Sequence, residues 1–370
     1  MRILFFTPYF YPHIGGVEKH VEKISRKLLE KGHKVFLITQ KTLDQEINQN
    51  SSCQTDAQSD NEAKKIKKID LTIQTEHKFN NKLEILYLDF GKEGKLKKFR
   101  IWLLLWKNRN FIKQADVIHC HDVFIWYLPF RFLFFNKPIF TTFHGYEEYP
   151  LRKKTILIRK LSEILSYGNI CIGDFIKKWY KTKPDYVSYG AAKKNIKYQI
   201  SNIKYKNSAV FFGRLDEQTG IQTYLRAYKL IKKKIPDFNF LVIGDGKYRT
   251  QIGKDVEVIG FKKNPEKYLQ HYRFAFVSRY LSILEAMAAK RLVFAVYDNP
   301  IKRDYLKMSP FAKGIIITDS SKELSERVIY FINNPQEERD MVEEAYKWVK
   351  DQTWENMVNT YLRLWKNRSK

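Results

Sequence analysis

Residues 274–296 constrain the fold most. The run FAFV at 274–277 is short and apolar, and the polar turn Ser278-Arg279-Tyr280 ends it. Good helix formers follow over about 282–290, and a second apolar run, LVFAV, fills 292–296. Two short apolar runs joined through a helix read as neighbouring buried parallel strands. Such a unit aims a helix N-terminus, with its N–H groups outside the helical ladder, past the carboxyl ends of the strands. Glu285 lies in the first turn or so of this helix. Two readings stand for it: a complement to the helix dipole, or a ligand contact.

The same unit recurs along the chain. Residues 2–7 form a strand that Pro8 stops, and the aromatic loop 8–16 ends in Ile14-Gly15-Gly16. Val17, Val21, Ile24 and Leu28 then repeat at helical spacing, Gly32 ends the helix, and 35–39 is the next strand. Gly15 and Gly16 let backbone approach a phosphate or sugar, or they serve a tight turn only. They do not complete GxGxxG, so a dinucleotide fingerprint is missing. Residues 41–82 are polar and read as a long insertion. A strand resumes at 83–88, and a basic helix is expected over 96–114. Its apolar run Ile101 to Trp106 packs on the sheet in the simpler reading; the other reading is an interfacial face.

Residues 116–122, DVIHCHD, run as a strand into a polar end, with His119 and His121 on one face and Asp122 after them. A third metal ligand is not evident, so no metal is expected there. The apolar stretch 123–135 holds Pro129 and Arg131 and is too short to span a bilayer; it reads as a core helix or a membrane-touching surface. The strand 138–142 ends at His144-Gly145, a second strand end where a ligand crevice is expected. After 170–172 and a helix over 174–181, the boundary falls at 187–190 and a lysine-rich linker follows. The pattern then restarts: strand 209–212 before Gly213-Arg214, Gly220 opening a helix, strand 240–243 before Gly244-Asp245-Gly246, and 256–259 before Gly260-Phe261. Two doubly wound α/β domains facing across a cleft are the expectation.

With hydrophobic residues at 44%, the chain has apolar material for two cores. The net charge of +27 favours an anionic partner, and anionic membrane is carried as an expectation. The basic residues are spread along the chain and no RNP1, KH or zinc-finger pattern occurs, so no nucleic acid is expected. Cys53, Cys120 and Cys171 suit neither a disulfide framework nor a zinc site, and a reducing cytoplasm is the simplest setting. The opening run breaks at Pro8 and Pro12 and lacks a signal peptide's layout.

Taken in order, IGGVEKHVEKISRKLLEKGHKVFLIT, DVIHCHD, TTFHGY, VFFGRL, VIGDG, VIGF and LEAMAAKRLVFA resemble family 4 retaining glycosyltransferases of the GT-B fold. The resemblance implies an N-terminal acceptor-side domain over 1–188, a nucleotide-sugar domain over 189–352, and a last helix at about 353–370 that crosses back. It implies donor contacts from Gly15, Gly16, Arg214, Gly260 and Phe261, from the amides near Ser282, Ile283 and Leu284, and from Glu285 to the ribose. His144 would lie near the transferred sugar and, with Arg214, carry catalysis; His121 and Asp122 are acceptor-side candidates. The implied donor is UDP- or GDP-linked, the acceptor a glycan or a lipid-linked glycan, and no metal or other cofactor is implied. Polysaccharide or glycolipid synthesis at the inner face of a membrane would be the setting.

Two positions depart from the family pattern. Thr219 stands where a lysine follows the arginine by five residues, and Lys247 is a candidate replacement. Val277 stands eight residues before Glu285, where the first glutamate of EX7E belongs; Ser278, Tyr280 and Ser282 are candidate substitutes. These departures keep two other readings open: an impaired GT-B protein that binds a nucleotide sugar or glycan, and an epimerase on the same fold.

Overall fold

The computed structural model describes residues 1–11, 15–41, 83–193 and 203–366. The polar insertion expected at 41–82 and the linker after 190 fall almost wholly outside them. The described chain forms two units.

Unit 1 comprises Met1–Ile172, Ile176–Ser188 and Val358–Lys370. Its strands are β1 (Arg2–Thr7), β2 (Lys34–Gln40), β3 (Glu84–Leu88), β4 (Val117–His121), β5 (Ile139–Phe143), β6 (Gly168–Ile172) and β7 (Tyr186–Ser188). They pair in parallel in the order β3-β2-β1-β4-β5-β6-β7. Strand order reverses between β1 and β4, which opens a crevice beyond their carboxyl ends.

The helices of unit 1 are α1 (Gly16–Glu30), α2 (Lys97–Lys107), α3 (Arg109–Gln114), α4 (Phe124–Leu133), α5 (Lys153–Leu165) and α6 (Phe175–Tyr180). Val21, Ile24 and Leu28 of α1 are fully buried, as the helical spacing predicts. The helix expected over 96–114 is instead two. Asn108 turns its side-chain amide onto the Leu104 carbonyl at 2.8 Å and ends the first of them, a local bond that competes with the helical ladder. Helix α5 has no counterpart among the expected elements.

Phe124, Trp126, Tyr127 and Phe130 of α4 are buried against Leu4, Phe6, Ile118 and Ile139. This places 123–135 mainly in the core. Pro129 lies inside α4 and cannot donate to the Ile125 carbonyl one turn back. The Trp102 indole of α2 donates to that carbonyl at 3.0 Å instead. The run 101–106 turns Ile101 and Leu105 into the core but leaves Leu103 and Trp106 outside, so it divides between the two expected readings.

Unit 2 comprises Gly173–Phe175 and Tyr189–Met357. Strands β8 (Tyr205–Phe212), β9 (Asn239–Ile243), β10 (Glu257–Val258), β11 (Tyr272–Phe276), β12 (Leu292–Val296) and β13 (Ile316–Thr318) are parallel, in the order β10-β9-β8-β11-β12-β13. The reversal here lies between β8 and β11. Helices α7 (Ile221–Lys234), α8 (Tyr280–Ala288), α9 (Pro300–Lys307), α10 (Ser321–Asn333) and α11 (Pro335–Val349) cover the sheet. Phe211, Tyr224, Phe274, Phe276 and Phe294 are central to its core. Each large side chain so buried contributes on the order of 1.5–3 kcal/mol.

The last helix, α12 (Trp354–Lys366), buries Tyr361, Leu364 and Trp365 within unit 1. Gly168 at the start of β6 makes room for it: a Cβ there would stand 2.7 Å from a Leu364 methyl carbon.

Candidate functional site

In unit 2 the polar loops follow the carboxyl ends of β8, β9, β10 and β11. Backbone meets backbone between the first two. A Cβ on Gly244 would stand 1.9 Å from the Gly213 carbonyl oxygen, so no side chain fits. The Gly213 N–H donates to the Ile243 carbonyl at 3.0 Å and the Leu215 N–H to the Asp245 carbonyl at 2.9 Å. Gly260, at φ +69, accepts from the Gly244 N–H at 2.9 Å. Phe261 beside it is half-exposed.

Arg214 leaves this platform with its side chain 46% accessible. Its Nε lies 3.0 Å from an Asp216 carboxylate oxygen, and its Nη2 donates to the Gln218 side-chain oxygen at 3.4 Å. That oxygen also accepts from Arg279 Nη1 at 3.4 Å. One amide therefore gathers two guanidinium groups, one from the end of β8 and one from the end of β11, across the point where strand order reverses. Arg279 is the N-cap residue of α8. The motif reading missed it; a cation just before a helix start at a strand end was the available signal.

Helix α8 starts at Tyr280, two residues earlier than expected. Glu285 is thus in the second turn, beyond the reach of the helix-end field, and it is buried. The dipole reading of Glu285 loses its ground. Of the amides named from the sequence, that of Ile283 already donates to the Arg279 carbonyl at 2.9 Å, and Leu284 lies deeper in the helix. Ser282 is in the first turn and partly exposed.

Beneath these loops Lys302 is buried and donates to two carbonyls, Gln218 at 3.0 Å and Ser278 at 2.6 Å. Burial pushes its ammonium well below its ordinary value, and Arg279 adds to the push. Lys302 ties the Arg214 loop to the end of β11 from within. It too was missed, because a lysine inside α9 carries no sequence signal of burial.

In unit 1 the corresponding loops follow β1, β4 and β5. Gly15 caps α1 with extended backbone and Gly16 is its first residue. A Cβ on Gly15 would stand 2.6 Å from a Glu18 carboxylate oxygen. His121 ends β4, and its Nδ1 meets His144 Nε2 at 2.9 Å. Asp122 follows at φ +61, a conformation that aspartate tolerates, and accepts the His144 backbone N–H at 3.0 Å. Its side chain is 26% accessible. Withdrawal from water pushes the carboxyl up to about 6, against the pull of Arg159 and the His144 N–H. His144 is partly exposed and the His121 ring is fully buried.

His20, which the motif reading passed over, presses its ring against His144 with centroids 4.7 Å apart. His119 points to the same side as His121 but serves α12: it bonds Thr142 at 2.8 Å and the Trp365 indole at 3.0 Å. Among the described residues no group of three or more His, Cys, Asp or Glu is arranged to hold a metal ion.

Two family models cover most of the chain. Glycosyltransferase Family 4 matches residues 14–184, and Glycosyl transferases group 1 matches residues 192–348. The chain belongs to these glycosyltransferases. An uncharacterized glycosyltransferase of Methanocaldococcus jannaschii is 33% identical over 84 residues, 20% of this chain and 20% of that protein. The chain thus matches only about a fifth of that relative's length. A glycosyltransferase structure from Rickettsia africae has TM-score 0.67 at 14% identity, covering 99% of this chain and 98% of that one. Anabaena HepE, in complex with UDP and glucose, has TM-score 0.67 at 12% identity, with 98% of each chain covered. Both support the GT-B fold.

Within this glycosyltransferase, the two unusual positions have structural reasons. Thr219 is buried, and its hydroxyl bonds the Arg214 carbonyl at 2.8 Å, holding the arginine's own backbone. Lys247 forms an ion pair with Glu217 of the Arg214 loop, at the surface. Ser278 accepts the Val296 N–H at 2.8 Å and bonds the Tyr224 hydroxyl at 2.6 Å. Tyr280 stacks on Tyr305 with centroids 3.8 Å apart and bonds it twice. Ser278 and Tyr280 are therefore committed to the core of unit 2, which leaves Ser282 of the three substitutes named for the missing glutamate.

Proposed function

We propose that this glycosyltransferase moves a sugar, with retention, from a UDP- or GDP-linked donor to a hydroxyl of a glycan or lipid-linked acceptor. The observation that carries this reading is the pairing of Arg214 and Arg279 on Gln218 at the β8/β11 reversal. When the sugar leaves, the bond from its anomeric carbon to the phosphate oxygen breaks, and a bond to the acceptor oxygen forms on the same face. The acceptor proton leaves with the nucleoside diphosphate. Charge builds on the phosphate oxygens, where two guanidinium groups and the first turn of α8 can meet it. Arg279 takes the part of the second cation, which Thr219 cannot supply. Glu285 is assigned to the ribose, Gly260 and Phe261 to the base, and Gly15 and Gly16 to the diphosphate and sugar. His144 is assigned to the sugar, and His121 and Asp122 to the acceptor side.

The UDP alternative draws on the UDP bound by HepE. The test is transfer or hydrolysis of labelled UDP- and GDP-sugars by purified protein. Arg214→Ala and Arg279→Ala should each lower turnover by about 10²–10³, the loss typical of one transition-state donor. Turnover that survives both substitutions would overturn the assignment. Free nucleotide with an isomerised sugar would instead favour the epimerase.

A further inference from the structure

Helix α2 is apolar on two faces where the sheet needs only one. Ile101 and Leu105 face the core, but Leu96, Phe99, Leu103 and Trp106 form a second stripe at spacings of three and four residues. Leu96 is 69% exposed and Phe99 62%. The neighbouring helices repeat this. Beyond the buried part of α4, Phe132 and Phe135 are each 65% exposed. On α5, Arg159 and Ser162 face inward while Leu157, Leu161 and Ile164 face out, Ile164 at 72%.

These three helices lie side by side on one face of the unit 1 sheet. The Trp102 indole binds α2 to the Ile125 carbonyl of α4, and Arg131 Nε binds α4 to the Leu165 carbonyl of α5 at 2.8 Å. Their outer sides therefore share one layer. Scattered apolar surface needs no explanation, but apolar stripes on α2 and α5, with the exposed phenylalanines at the end of α4 between them, mark a covered surface.

The charge around them selects the cover. Residues 92–113 hold eight Lys and Arg against one acidic residue, Glu93. Arg152, Lys153 and Lys154 open α5 and are all exposed. A second copy would bring two such basic borders together, and a nucleic acid would need the cations but not a sheet of leucine and phenylalanine. Apolar and aromatic side chains bordered by Lys and Arg suit an anionic lipid interface. Among the described residues no helix is long and apolar enough to cross a membrane.

We infer that the outer faces of α2, α4 and α5 dock this protein on an anionic membrane surface. The inference does not rest on the transfer reading. The test is flotation of the full chain with vesicles of phosphatidylcholine alone or with about one third phosphatidylglycerol. Binding to the anionic vesicles should exceed that to the neutral ones by about tenfold or more and weaken with salt. Phe99→Glu with Leu103→Glu, and separately Ile164→Glu, should each lower it by about tenfold or more at unchanged circular dichroism. Leu230→Glu, an exposed leucine of unit 2, should not. Nucleotide binding in solution should be unchanged in all of these variants. Three results would overturn the inference: no binding to anionic vesicles at low salt, binding indifferent to the α2 and α5 variants, or a dimer abolished by those variants without vesicle binding.

Discussion

Trp365 sets the direction of a hydrogen-bonded chain through unit 1. An indole N–H can only donate, so His119 Nδ1 accepts and its Nε2–H donates to Thr142. The Thr142 hydroxyl lies 2.9 Å from Tyr361, and Tyr361 lies 3.0 Å from His20 Nε2. With each hydroxyl donating onward, His20 Nε2 accepts and the tautomer of His20 follows from a tryptophan several side chains away. Burial favours the neutral form of these rings and of the neighbouring His121. Burial pushes His20 down to about 3 and holds His119 and His121 well below their ordinary range. In the unfolded chain these rings take protons near pH 6.5. Between that value and about 3 the unfolded state binds more protons, so stability is complete above the unfolded value and falls as pH drops through the window. The slope is at most about 1.4 kcal/mol per pH unit for each histidine. Asp122, raised in the fold but partly open to water, works in the opposite sense and offsets a small part of the loss. Thermal unfolding should therefore show a clearly lower midpoint at pH 5 than at pH 7. An unchanged midpoint would mean that the rings are not held neutral.

At the scale of elements, Pro129 and Trp102 form one unit. The proline removes a donor from the middle of α4, and the indole of another helix replaces it. Trp102→Phe keeps the ring and leaves the Ile125 carbonyl without that partner. It should cost about 1–3 kcal/mol in urea unfolding, and a loss within error of zero would show that water satisfies the carbonyl equally well. The strands were legible because parallel strands buried on both faces read as apolar runs, as in LVFAV at 292–296. Breaks in helices were less so: Asn108 ends α2 through its own side chain, which apolar periodicity does not register. Apolar spacing starts α8 two residues late because the buried stack of Tyr280 on Tyr305 is invisible along the chain. Lys302 reads as one more surface lysine until α9 is folded over the Gln218 and Ser278 carbonyls.

Over the whole molecule, one topological device is used twice. Each unit reverses its strand order beside its first strand, and each places a glycine-bearing loop there. The loops and their charged residues could be read from the sequence as a set. Which strands stand beside one another could not, and so the sharing of Gln218 by Arg214 and Arg279 has no signature along the chain. The central claim is that the end of the unit 2 sheet holds a nucleoside diphosphate. Thermal shift against UDP, GDP and ADP, with Glu285→Ala as control, tests it most directly. One of the uridine or guanosine nucleotides should stabilise the protein, by about 2.7 kcal/mol at a hundredfold excess over Kd, and the variant should lose that gain. Folded protein that none of the three stabilises, or a gain that Glu285→Ala leaves intact, would contradict it.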